Sequence, residues 1–336
     1  MVSHSQRTLV EKRQTESLYH ALGAQIAEAL ARRDVVEVMA NPDGSLWVDR
    51  AGVGRERLGM IEPAAAETAI RLLASFMGES VTEACPAISG VLPRSGERFQ
   101  GVLPPLAERP MFSIRKRAQV LYTLSDYVRA GILTTSGAQM IQGAVAQRTN
   151  ILIAGGTGSG KTTLVNAILA LDAFREDRVV ILEDTRELQC AATDRVELLT
   201  KNTEPRVTMT DLLKMTLRLR PDRIIVGEVR DGAALAMLKA WNTGHPGGVA
   251  TLHANSPIDA LRRMEELIGE VSQLIPRRSI AAAIGLIVFI ERTNQAPGRR
   301  VTALARVEGL AGDSYQLANC EDTQGDTGLS RNGRER

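Results

Sequence analysis

Residues 155–162 read Gly155-Gly156-Thr157-Gly158-Ser159-Gly160-Lys161-Thr162, a complete G-x-x-x-x-G-K-[ST] phosphate loop, with Thr163 directly after it. An apolar run, Ile151-Leu152-Ile153-Ala154, precedes the loop, and Leu164-Val165-Asn166-Ala167-Ile168-Leu169 follows. Strand, loop and helix in that order are the context that separates such a loop from a chance match. The chemistry fixes the residue types. Glycines let the backbone turn several N–H groups toward one anion, and the helix that follows adds the positive end of its dipole. Lys161 is expected to place its charge on the β- and γ-phosphates, and the Thr162 hydroxyl to ligate magnesium. The residues from Gly155 to Thr163 are therefore expected to bind a nucleoside triphosphate with Mg2+.

Binding is not hydrolysis, which needs acids near the metal and the attacking water. Open sheets place such groups at the carboxyl ends of their strands. Two apolar runs here end in acids: Val179-Val180-Ile181-Leu182 leads into Glu183-Asp184, and Ile224-Ile225-Val226-Gly227 leads into Glu228. One of Glu183 and Glu228 is expected to hold magnesium, directly or through water, and the other to orient or activate the water. Thr251-Leu252-His253-Ala254 ends a third run in a histidine, placed to report on the γ-phosphate. His245, in a Gly/Pro turn, reads as structural, and two imidazoles are too few for a metal site.

The remaining chain divides by pattern. Leu18, Leu22, Ile26 and Leu30 recur at helical spacing. Val35–Met39 and Ser45–Val48 flank Asn41-Pro42-Asp43-Gly44, a hairpin signal. A helix is expected over Pro63–Met77, then a second hairpin around Pro93-Arg94-Ser95-Gly96 and a strand at Phe112-Ser113-Ile114. These elements predict a smaller α+β domain over residues 1–117. Residues 118–133 read as a polar, helix-prone linker. From 134 to 310, apolar runs alternate with helical segments, which predicts an α/β domain with a largely parallel sheet covered on both faces. Ser256-Pro257 reads as a helix start, and Gly244 and Gly269 as helix ends. The polar residues 311–336 are expected to be disordered.

Bulk properties narrow the function classes. Of 336 residues, 3% are aromatic and the formal net charge is +2. Few rings for base stacking and no strong positive field argue against direct nucleic-acid binding. Three scattered cysteines indicate neither a disulfide framework nor a zinc ribbon. Without an apolar signal core or a run of ~20 apolar residues, the expected location is cytoplasmic, with any membrane contact peripheral.

Four boxes then carry a resemblance. GGTGSGKTT (155–163), ILEDTREL (181–188), LRLRPDRIIVGEVRD (217–231) and NTGHPGGVATLHANSP (242–257) resemble the phosphate loop, acidic box, Walker B segment and histidine box of the secretion ATPase superfamily. Within it the chain is most similar to the TrbB-type conjugal-transfer ATPases. The resemblance implies a PAS-like amino-terminal domain and a RecA-like P-loop motor domain, assembled as a hexameric ring. It implies ATP hydrolysis at the cytoplasmic face of the inner membrane, in contact with components of a type IV secretion or mating-pair apparatus and its coupling protein. By position, Glu183 matches the catalytic glutamate, Glu228 the Walker B acid and His253 the histidine-box residue. FSIRKR (112–117) resembles the basic segment through which the amino-terminal domain meets nucleotide, so Arg98 and Arg115 match arginines that reach the phosphates. Arg115 can equally belong to a solvated basic face with Lys116 and Arg117. A pilus-type assembly or retraction ATPase and a DNA-translocating RecA-like motor are the alternatives. The first is weakened because residues 277–283 lack an Ala-Ile-Arg box, the second by the low aromatic content.

Overall fold

A computed structural model describes residues 4–50, 53–116, 121–201 and 204–322, with the backbone alone for 4–11 and 320–322. The chain forms two compact units, Met1–Val120 and Leu121–Arg336.

The first unit contains α1 (His4–Ala31), β1 (Val35–Ala40), β2 (Ser45–Arg50), β3 (Gly54–Met60), α2 (Pro63–Phe76), β4 (Ala87–Val91), β5 (Arg98–Val102) and β6 (Met111–Arg115). Its sheet runs β3-β2-β1-β6-β5-β4, with every neighbouring pair antiparallel. The α1 helix breaks at Gly23, whose φ of 82° is costly for a residue with a Cβ. Leu18, Leu22 and Ile26 of α1, with Ile70 and Leu73 of α2, bury against Val38, Val48, Phe99, Phe112 and Ile114 of the sheet. Phe99 and Phe112 stack with ring centroids 5.2 Å apart. β3 is absent from the sequence reading because Gly-Arg-Glu-Arg-Leu-Gly-Met offers no apolar face.

The second unit contains α3 (Leu124–Arg129), α4 (Thr135–Ala146), β7 (Ile151–Ala154), α5 (Lys161–Leu169), β8 (Arg178–Glu183), β9 (Asp194–Leu199), α6 (Met209–Thr216), β10 (Arg223–Val226), α7 (Ala233–Asn242), β11 (Val249–Leu252), α8 (Pro257–Gly269), α9 (Arg277–Ala283), β12 (Leu286–Arg292), β13 (Arg299–Ala311) and β14 (Ser314–Asp322). The sheet order is β14-β13-β12-β7-β11-β10-β8-β9. From β12 to β9 every pair is parallel, and β13 and β14 add antiparallel strands at one edge.

Alternate residues of each central strand enter different cores. Ile151 and Ile153 face Leu124, Ile141, Leu164 and Ile168 of α3, α4 and α5. Leu152 and Ala154 face the opposite core, with Leu212, Met237, Leu261 and Ile280 of α6 to α9. Burial on both faces explains the unbroken apolar runs, each large side chain contributing roughly 1.5–3 kcal/mol.

Three expectations need correction. Residues 124–129, read as helix-prone linker, do form a helix, α3, capped by a reciprocal Thr123–Asp126 box, but it belongs to the second unit. The segment from 311, read as disordered from its polarity, continues β13 and then pairs as β14 through Asp322, with Tyr315 buried beneath it. Residues 118–120 and 323–336 lie outside the described residues. Gly269 closes α8 in right-handed geometry, with Glu270 as the cap, whereas Gly244 has a φ of 94° just after α7, as its position predicted.

Candidate functional site: a phosphate loop flanked by two acids

The loop leaves β7 at the centre of the sheet, between β12 and β11. A Cβ on Gly155 would lie 2.1 Å from the Ile290 carbonyl oxygen, so only glycine fits beside β12. Gly160 has a φ of 102° and turns the chain into α5. Ser159 Oγ is buried without a hydrogen-bond partner among the described residues. Lys161 is buried as well, and its Nζ donates to the carbonyl oxygens of Gly155 (2.9 Å) and Gly156 (3.0 Å). Burial pulls the Lys161 pKa down, with the Glu228 charge the main opposing influence. A buried ammonium, an orphaned hydroxyl and the unpaired amides of a helix start are a donor set that fits a polyphosphate. Thr162 and Thr163 are half-buried in the first turn of α5.

Beside the loop, three strand ends converge. His253 Nδ1 lies 3.3 Å from Lys161 Nζ, and its Nε2 lies 2.8 Å from Glu228 Oε1. Burial first, then the Lys161 charge, lowers the His253 pKa, against Glu228, which raises it. A neutral ring suits the lysine, from which Nδ1 accepts, while Nε2 stands in close contact with Glu228 Oε1 without hydrogen-bond geometry, that oxygen having no hydrogen-bond partner among the described residues. The other Glu228 oxygen accepts from Arg230, whose Nη1 also reaches Asp184 Oδ2 at 3.4 Å. Thr251 Oγ1 donates to the Gly227 carbonyl at 2.6 Å, and Val229 N to the Thr251 carbonyl at 2.9 Å, which fixes the chain carrying Glu228 against β11.

Glu183, the last residue of β8, is 4% exposed. Its Oε1 accepts from the amides of Glu187 (2.8 Å) and Leu188 (2.9 Å), so the carboxylate anchors the turn that follows it. Its Cγ lies 3.1 Å from where a Gly227 Cβ would be, which makes Gly227 the opening for this side chain. Burial, with no cation among the causes, pushes its pKa up to about 7. Buried Asn166 of α5 secures the same turn from below: its Nδ2 donates to the Glu187 carbonyl (3.1 Å) and its Oδ1 accepts from Gln189 N (2.9 Å).

A family model described as "Type II/IV secretion system protein" matches residues 97–329. The chain belongs to the type II/IV secretion system protein family. It is similar to "Conjugal transfer protein TrbB" of Rhizobium radiobacter, 49% identical over 317 residues that cover 94% of this chain and 97% of the relative. "Probable conjugal transfer protein TrbB" of Sinorhizobium fredii is 50% identical over 314 residues, covering 93% and 95%. The structure of the ATPase DotB of Legionella pneumophila matches with a TM-score of 0.59 at 19% identity, over 83% of this chain and 78% of that one. The second unit has the RecA-like P-loop fold.

For a member of this family, the structure brings together Lys161, Glu228 and His253 and sets Glu183 on the adjacent strand end. Arg98 and Arg115 belong to the other unit, where they are direct cross-strand partners on β5 and β6. Their neighbour Lys116 is buried and donates through Nζ to the Arg32 carbonyl at 2.5 Å, so it is not part of a solvated basic face. Among the described residues, no group of three or more His, Cys, Asp or Glu side chains could hold a metal. A magnesium ion here fits the usual pattern of one or two protein oxygens completed by substrate phosphates and water. Sequence reasoning missed Asn166 and Arg230. Asn166 lies inside an otherwise apolar helix run, which was the available signal. His245 Nδ1 lies 3.2 Å from the Ala240 carbonyl, in keeping with its structural reading.

Proposed function

We propose that this chain is the ATP-hydrolysing motor of a type IV secretion or conjugative DNA-transfer system. One observation carries the proposal: Lys161, His253 and Glu228 form a continuous chain of contacts at the mouth of the phosphate loop, with a buried carboxylate of raised pKa, Glu183, on the adjacent strand end. The relatives' names supply the biological setting.

In this reading the amides of Gly155–Thr163 and the Lys161 ammonium hold the phosphates. The Thr162 hydroxyl and the Glu228 carboxylate would hold magnesium, which would supply charge neutralisation on the phosphates. Glu183 takes a proton from the attacking water; its Oε1 is fixed by two amides, and a pKa near 7 suits a general base. His253 contacts both Lys161 and Glu228, so it links the phosphate-holding cation to the Walker B acid. The working form is a hexameric ring at the cytoplasmic face of the inner membrane, engaged with the membrane components of the apparatus and its coupling protein. No helix among the described residues is long and apolar enough to cross a membrane, so that attachment would be peripheral.

Phosphate release from Mg-ATP by the purified chain tests the proposal. The Lys161→Ala variant should lose more than about 100-fold of the rate, the scale of removing a charge-stabilising donor. In cells lacking the gene, the wild-type copy should restore mating and the variant should not. Equal turnover by both proteins would refute the catalytic reading.

A further inference from the structure

The side of the phosphate loop away from Glu228 and His253 carries two arginines with no role so far. β12 runs parallel to β7 with Phe289 opposite Ala154. Residues beyond Phe289 therefore run beside the loop and not beside the strand: Ile290 meets Gly155, and Arg292 comes two residues further on. Across the antiparallel hairpin, Arg292 pairs directly with Arg299. Both guanidinium groups reach the loop. A Cβ on Gly160 would lie 2.7 Å from Arg299 Nη1, and one on Gly158 would lie 3.7 Å from Arg292 Nη1.

Like charges directly opposite one another on paired strands repel. Neither arginine makes a hydrogen bond or ion pair to a carboxylate among the described residues. Next to Arg299 is Tyr127 of α3, whose hydroxyl is buried and has no hydrogen-bond partner among the described residues. Burial pushes the Tyr127 pKa up, and the Arg299 charge is the influence that opposes it most. Two cations without carboxylate partners reach the glycines of a phosphate loop, and an idle buried hydroxyl lies near one of them, an arrangement that fits an anion.

We propose that Arg292 and Arg299 form a cationic clamp on the α-phosphate of the bound nucleotide. The proposal rests on the nucleotide-binding reading above and adds which phosphate these residues grip. The direction follows from the sheet order. The groups placed to sense the terminal phosphate follow β10 and β11, on one side of β7, while β12 lies on the other. A polyphosphate lying along the loop with its γ end toward His253 has its nucleoside end toward the hairpin. Arginine suits this task because its planar fork matches two phosphate oxygens at once.

Calorimetric titration of the full chain with ATP and with ADP tests the clamp in four proteins: wild type, Arg292→Gln, Arg299→Gln and Arg300→Gln. Arg300 follows Arg299 on the strand, so it faces the other way, and it pairs with Glu291. It controls for the change in net charge. Arg292→Gln and Arg299→Gln should each weaken ATP and ADP by the same factor, about tenfold. Arg300→Gln should leave both affinities unchanged. Arg299→Lys, which keeps the charge but loses the fork, should fall in between, and it carries the test if the glutamine variant does not fold. Weakening of ATP with ADP unaffected would move the arginines to the γ-phosphate and overturn the proposal, as would equal affinities in all the proteins. If wild type binds neither nucleotide, the nucleotide reading itself fails, whereas intact wild-type binding with unaffected variants removes the clamp alone.

Discussion

Glu183 and Glu228 have the same sequence signature, an acid just beyond an apolar run, and they end adjacent strands whose Leu182 and Val226 are in register. Their surroundings differ. Glu183 is buried with backbone amides for partners and no cation, and its pKa rises to about 7. Glu228 has an imidazole on one oxygen and Arg230 on the other. One strand end is built to exchange a proton near neutral pH, the other to balance permanent positive charge. The strand position delivers a carboxylate to the site, but the neighbours decide what it can do there.

The sharpest way to break this comparison is to remove the proton acceptor and keep its shape. Glu183→Gln still accepts the two amide hydrogen bonds, so the fold should hold while turnover falls by roughly 10²–10⁴-fold, the usual worth of a general base. A variant retaining wild-type turnover would end the assignment. The same substitution should stabilise the protein at pH 8. The folded pKa of about 7 lies above the ordinary glutamate value of 4.5, so the folded state holds more protons between those values. Stability therefore falls as pH rises through that window, and the penalty is complete above it. Melting at pH 8 should improve by about 1–3 kcal/mol in the variant, and the gain should vanish near pH 4. Glu228→Gln should give no such gain; it should lose about 1 kcal/mol as Arg230 gives up a charged partner at a half-exposed site.

A smaller effect is expected from the support beneath Glu183. Asn166→Ala removes the hydrogen bonds that this side chain makes to the Glu187 carbonyl and the Gln189 amide, at a cost of about 1–3 kcal/mol. Because it loosens the turn that holds Glu183, turnover should fall while nucleotide affinity is kept. Thermal melting and calorimetry separate the two; a fall in affinity equal to the fall in rate would place Asn166 at the loop and not under the acid.

The two acids also show what the sequence discloses. Strands buried on both faces, β7, β8, β10, β11 and β12, read as continuous apolar runs, and the loop and strand-end acids follow from them. The edge strands β3, β9 and β14 do not, because each has one side to solvent or no apolar face, and β14 is built from residues whose composition signals disorder. The pairing of Glu228 with Arg230 spans two residues, yet nothing in the sequence says that Arg230 turns back toward Glu228 and Asp184. Arg292 and Arg299 are further removed: their place at the loop follows only once β12 is known to neighbour β7. Arg98 and Arg115 were matched through family resemblance, and their adjacency across β5 and β6 appears only in the register.

The least change is expected from His253, and it sharpens the comparison most directly. Burial and the Lys161 charge hold its pKa below the usual histidine value, so it becomes protonated only at more acidic pH than a free imidazole. It should thus be neutral over the range in which Glu183 titrates, and the rise of turnover with pH should belong to Glu183. NMR titration should show the His253 pKa rising in Lys161→Ala, which removes a repelling cation, and falling further in Glu228→Gln, which removes the anion that supports its charge. Turnover by His253→Gln, where an amide can still bridge the lysine and the carboxylate, should be reduced only about tenfold or less, a bridge between two retained charges being worth about one hydrogen bond. Its pH–rate midpoint should remain near 7, where Glu183 puts it. A midpoint that moves in this variant would transfer the titration to the imidazole and leave Glu183 as the anchor of its turn, reversing the roles that distinguish the two strand ends.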